Sequence, residues 1–171
     1  MIYQKIPVII TTLFIFDVAG CHVPQTVPAK YSYEILENKM IVEDTNNTRA
    51  FYQWERYGFN ITDGPMNVFV YSYERAHDAQ ICDDEYCEII LFQISPNLET
   101  FHFEDETIHE AKCRWEISYF GLDTGNYKVD KGRIDGKRTG PDEYEVDAHI
   151  SIRTKNRTYK KVFKETFKIV S

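Results

Sequence analysis

The residues of this sequence best suited to chemistry are carboxylates and histidines. Asp123-Thr124-Gly125 is the triplet of aspartic proteases. Those enzymes set it in an apolar strand–turn frame and need two copies, because two carboxylates must share one proton. Here it occurs once, between Gly121 and Asn126, where a hairpin turn with a left-handed glycine accounts for it. His102-x-Glu104 with Glu106 and His109 offers metal-ligand types, and alternation puts His102 and Glu104 on one face, but the stretch is polar and loop-like. Asp83-Asp84-Glu85 with Glu88 has calcium-type oxygens without the glycine that a calcium loop needs. No G-x-S-x-G elbow frames a nucleophile, and no glycine-rich loop is present to cradle phosphate. The sequence predicts a protein without enzymatic activity, cofactor or metal centre.

Cysteine chemistry depends on compartment. Met1–Lys5 carries one positive charge, Ile6–Phe16 is mostly apolar, and Val18-Ala19-Gly20 supplies small residues at a cleavage position. That pattern reads as a secretory leader over residues 1–20, followed by one extracellular domain over 21–171. No stretch approaches the ~20 apolar residues of a membrane-spanning helix. Val18-Ala19-Gly20-Cys21 also spells a bacterial lipobox, so an alternative is a surface lipoprotein anchored through Cys21. Sequons at Asn46, Asn60 and Asn156 favour a secreted glycoprotein instead. An oxidising compartment favours pairing among Cys21, Cys82, Cys87 and Cys113. Cys87 opens an apolar run and Cys113 points to the apolar face of another, so Cys87–Cys113 is the expected bridge, with Cys82–Cys113 next. Buried free thiols are the alternative.

The elements that must position these residues read as strands. Tyr144, Val146, Ala148, Ile150 and Ile152 alternate with Glu143, Glu145, Asp147, His149 and Ser151, the period of a strand with one buried face. Ala111, Cys113, Trp115, Ile117 and Tyr119 repeat the pattern. With turns near 121–126, 135–141 and 155–157, residues 111–170 predict a four-strand antiparallel meander: 111–120, 126–135, 142–154 and 157–170. Further strands are expected at 31–36, 66–75, 87–95 and 100–104. The run Ile89–Phe92 is apolar on both faces and so central. Residues 47–57 fit either a strand or one short helix. The fold class is therefore all-β, or α+β if that helix forms: a single antiparallel sandwich or barrel-like domain of seven to eight strands.

Charge is uneven within a formal total of −7. Asp78 to Glu110 holds ten acids and no Lys or Arg, whereas Ser151 to Ser171 holds seven basic residues and one acid. These blocks either steer a charged partner or neutralise one another on adjacent strands. Lys160, Lys164 and Lys168 form a stripe on the outer face of the last strand, suited to an acidic glycan or protein, or to protecting a sheet edge. An acidic extracellular chain argues against nucleic acid. The sequence thus predicts a secreted binding protein recognising an extracellular protein or acidic glycan, with a small-ligand carrier built on a lipocalin-like β-barrel as the alternative. Membrane attachment enters only if Cys21 is lipidated.

Overall fold

A computed structural model describes residues 26–44, 58–78, 81 and 85–170. The expected leader at 1–20, Cys21, Asn46, the 47–57 segment and Cys82 lie outside the described residues. Two short strands, β1 (Thr26–Val27) and β5 (His77–Asp78), pair with each other. The remaining strands are β2 (Lys30–Asp44), β3 (Gly58–Asp63), β4 (Met66–Glu74), β6 (Tyr86–Ile94), β7 (Thr100–Glu104), β8 (Arg114–Tyr119), β9 (Gly125–Lys128), β10 (Lys131–Gly140), β11 (Glu143–Arg153) and β12 (Thr158–Ile169). They form one mixed sheet in the order β7-β10-β11-β12-β2-β4-β6-β8-β9, with β3 beside β2, curled into a half-barrel. The all-β expectation holds. Among the described residues no helix is long and apolar enough to cross a membrane.

The curl follows from alternation. Along β11 the residues from Tyr144 to Ile152 point inward at every second position, and Glu143–Lys168 through Arg153–Thr158 pair without interruption against β12. Phe69 and Tyr71 of β4, Ile90 and Phe92 of β6, Trp115 and Ile117 of β8, and Phe163 and Phe167 of β12 fill the concave side. Opposite arms of the sheet meet there: the Phe69 ring lies 5.4 Å from Tyr144 and 5.7 Å from Phe101.

The convex side has its own apolar layer. β2 departs from β4 after Leu36, where its register shifts and Asn38 takes a left-handed φ of 53°. Asn tolerates that conformation better than most residues. Residues 39–44 then pair with β3, and this hairpin buries Ile41 against Val68 and Leu91. The Gln93 side-chain carbonyl accepts the Ile41 N–H at 2.8 Å, and Lys112 Nζ donates to the Ile41 carbonyl at 2.9 Å. Arg114, almost wholly buried, donates to Glu43 and holds the hairpin down. A second apolar layer explains why β6 is apolar on both faces.

Three expectations change. Residues 126–135 are not one strand. The chain breaks at Val129–Asp130, so β9 ends one edge of the sheet while β10 lies between β7 and β11. Gly132 sits at φ 130°, donates its N–H to Asp105 Oδ1 at 2.9 Å, and leaves no room for a Cβ beside the His149 carbonyl. The C-terminal meander accordingly contains β10, β11 and β12, with β8–β9 a separate hairpin. The sheet is mixed, because β12 meets β2 in parallel at Lys168 and Ile169. Finally, the Cys87–Cys113 bridge does not form; both thiols are free. Cys113 is inside the concave core, while Cys87 alternates with the inward Tyr86 and Glu88 and shares the convex face of Ile89 and Leu91. Side chains on opposite faces of a sheet cannot meet in a disulfide. Burial pushes the Cys113 thiol up to about 12, which leaves it a poor nucleophile.

Candidate interaction face

The lysine stripe is exposed, as alternation requires, but it is largely answered from the next strand. Lys164 pairs with Glu145 at 3.3 Å and Lys168 with Glu143 at 2.8 Å. Lys160 stands opposite Ser151. The strand that carries the stripe is flanked by β11 throughout and by β2 at its C-terminal end, so it is an edge only over its first part. The acidic block is divided. Its most buried member among the described residues, Glu88, reaches Lys161 across the concave side at 2.6 Å. Glu99 meets Arg138 at 3.7 Å, and Asp105 serves the Gly132 N–H.

The histidine constellation does not close on a metal. His102 and Glu104 do share a face, but His102 Nδ1 lies 2.6 Å from Asp135, and His109 turns to the Glu106 carbonyl. Among the described residues no three His, Cys, Asp or Glu side chains converge as ligands. Of the sequons, Asn60 is exposed on β3 opposite Val42. Asn156 has its amide engaged: Nδ2 donates to Asp123 Oδ1 at 3.0 Å.

Asp123 is the centre of the best-built polar cluster. Its carboxylate is buried and also accepts from Tyr159 OH at 3.1 Å, while Arg157 Nε stands 3.3 Å away. Burial alone would push this carboxyl up, but the hydrogen bonds from Thr154, Asn156 and Tyr159 together with the Arg157 charge hold it below the usual carboxylate range. Tyr127 OH donates to the Asp123 carbonyl at 2.9 Å, and Thr124 Oγ1 caps the Tyr119 carbonyl. The Arg157 guanidinium covers the Tyr159 ring at 4.4 Å. The Asp-Thr-Gly triplet is thus a structural tie between two turns, 120–124 and 154–157.

What this tie holds up is apolar. Phe120 is 82% exposed and Leu122 is 88% exposed, on either side of Gly121. Scattered exposed apolar residues are ordinary. Two such side chains on one tip, tied by a buried carboxylate to the basic turn 154–157, form a presented surface instead. Turn residues alone account for 121–126 as a turn, and the signal for a presented tip lies in Phe120 and Leu122, which are unusual beside a turn glycine. Lys161 was missed as well, because its partner Glu88 lies 73 residues away. Comparison with family models, with curated proteins and with solved structures finds no match for the chain.

Proposed function

We propose that this is a non-enzymatic binding protein of the extracellular space that grips a protein partner through the Phe120–Leu122 tip. The observation that carries the reading is the exposure of two large apolar side chains on a turn immobilised by the Asp123 cluster. Binding energy concentrates in a few rigid aromatic and aliphatic anchors, and a tip ordered beforehand avoids much of the entropy cost of association. The basic turn beside it favours a partner pocket with an acidic rim, which would raise the association rate. The lysine stripe contributes less, since Glu143 and Glu145 answer two of its members.

The test titrates labelled full-length protein onto intact cells and compares it with a Phe120→Ser/Leu122→Ser variant. Binding should be saturable for the wild type and at least about tenfold weaker for the variant, a loss of about 1.4 kcal/mol, with unchanged thermal unfolding. Binding that disappears after heparinase treatment would move the partner to the acidic-glycan class. Full binding by the double variant would reject the tip.

A further inference from the structure

We infer that Asn60 carries an N-linked glycan on the outer face of the β2–β3 hairpin, while Asn156, the other described sequon, stays bare because its amide serves the tie at Asp123. The inference rests on the extracellular reading proposed above. Register fixes where Asn60 points. Ile61 stands opposite Ile41, whose side chain is fully buried with Val68 and Leu91, so position 61 belongs to the inner face of the hairpin. Asn60 and Thr62 flank it and point the other way, opposite Val42 and Met40. Both are exposed. The acceptor amide and the hydroxyl two residues on, which together define a sequon, therefore share the solvent-facing side of one strand. Among the described residues nothing engages the Asn60 amide, and β3 pairs with β2 alone. A glycan here displaces no contact. It lies over Val42, which is 37% exposed, and crowds the unpaired side of β3, the kind of open edge that invites another strand.

Asn156 differs in what its amide does. Nδ2 donates to Asp123 Oδ1 at 3.0 Å, and Asp123 is only 5% exposed. The Asn156 backbone N–H donates to Thr154 Oγ1 at 3.2 Å, which closes the same turn. A sugar on Nδ2 replaces one of its two hydrogens and sets a bulky polar group against a buried, hydrogen-bonded carboxylate. It would also stand beside Arg157, in the turn that holds the Phe120–Leu122 tip in place. The transfer itself needs a lipid-linked oligosaccharide diphosphate from the secretory pathway. A bond forms between Asn60 Nδ2 and the anomeric carbon of the first sugar. The bond from that carbon to the diphosphate oxygen breaks, the diphosphate leaves with the electron pair, and Nδ2 gives up one proton.

The experiment expresses the full-length chain in secreting eukaryotic cells and purifies it from the medium. Glycosidase digestion in heavy-oxygen water turns each glycosylated Asn into a labelled Asp, which peptide mapping locates. The Asn60 peptide should carry the label in most molecules and the Asn156 peptide in few. Thr62→Val keeps a strand-forming residue and removes the sequon hydroxyl. It should lose the mass of one glycan, whereas Thr158→Val should lose none. Should Thr62→Val fail to fold, the peptide map of the wild type decides alone. Secreted protein with Asn60 bare would overturn the inference and leave the extracellular reading standing. Equal labelling of Asn60 and Asn156 would overturn the assignment of Asn156 to the tie. Retention of a bare chain in the cytosol would overturn the inference and the extracellular reading together.

Discussion

The two ends of the concave core are built by the same strands and end up chemically unlike. At one end β4, β6, β7, β11 and β12 bring together Phe69, Phe92, Phe101, Tyr144 and Phe167, with the Phe69 and Phe92 rings stacked at 4.8 Å. Its single polar tip is satisfied: Tyr144 OH donates to the Leu98 carbonyl at 3.0 Å and accepts from Arg138 at 2.6 Å. Two residues further along β4, at Tyr71, the core holds a buried ion pair and an unpartnered hydroxyl. The first end is packed for rigidity. The second retains a hydrogen-bonding group that the fold leaves unpaired. Truncation should expose that difference most strongly. Phe69→Ala should cost about 3–5 kcal/mol, the range for a buried aromatic in a packed core, whereas Tyr71→Phe should stay within about 1 kcal/mol of the wild type. Urea unfolding of both, with equal slopes, checks the contrast. Similar losses at the two positions would erase it.

The ion pair gives the next largest effect. Glu88 is almost wholly buried and Lys161 mostly so, and each is the other's charge partner across the seam. Removing one member leaves a desolvated charge behind, so Glu88→Gln or Lys161→Met alone should cost about 2–4 kcal/mol. Replacing both with Glu88→Leu and Lys161→Met should recover most of that loss, because the desolvation penalty goes with the pair. Additive losses in the double-variant cycle would mean that the two side chains do not depend on one another.

Asp123 sits outside this core and depends on pH. Its folded-state carboxyl is held below the usual value of 3.8. A depressed acid contributes stability that is present above its unfolded-state value and is lost as pH falls through the folded-state value. Asp123→Asn should therefore be less stable than the wild type by about 1–2 kcal/mol at neutral pH, the scale of charge-assisted hydrogen bonds, and the gap should close below about pH 4. A gap independent of pH would show that the carboxylate charge is irrelevant to the tie between the turns.

Sequence periodicity predicted these regions unequally, for physical reasons. β11 was legible because one face of it is core and the other solvent, so every residue reports its side. β6 was not, since the β2–β3 hairpin makes both of its faces apolar and its second inward position is a charge, Glu88. That ambiguity placed Cys87 on the same face as Cys113. The break between β9 and β10 depends on the tight approach of Gly132 to the His149 carbonyl, a contact 17 residues apart that no local pattern encodes. The acidic and basic blocks were visible, but their buried meeting point among the described residues, Glu88 with Lys161, was fixed by the curl of the sheet.

The smallest effect belongs to the surface feature most visible in the sequence. Lys160, Lys164 and Lys168 point to solvent from β12, and Glu145 and Glu143 on β11 answer the last two at 3.3 and 2.8 Å. Exposed pairs of this kind gain little over hydration and are screened by salt. The Glu143 hydrogen bond raises the Lys168 ammonium above its ordinary value, so that side chain stays charged throughout the neutral range. A triple Lys→Ser change at 160, 164 and 168 should leave the unfolding midpoint within the scatter of the wild type. It should also keep the apparent mass of the wild type in solution if β12 needs no charged guard, because β11 covers one side of the strand along its whole length. On a heparin column the variant should elute only slightly earlier than the wild type, since two of the three charges are compensated locally. Elution at much lower salt would restore the stripe as the glycan-binding surface and weaken the argument for the Phe120–Leu122 tip. Aggregation of the variant would instead show that the lysines guard the first part of β12, where β2 does not cover it.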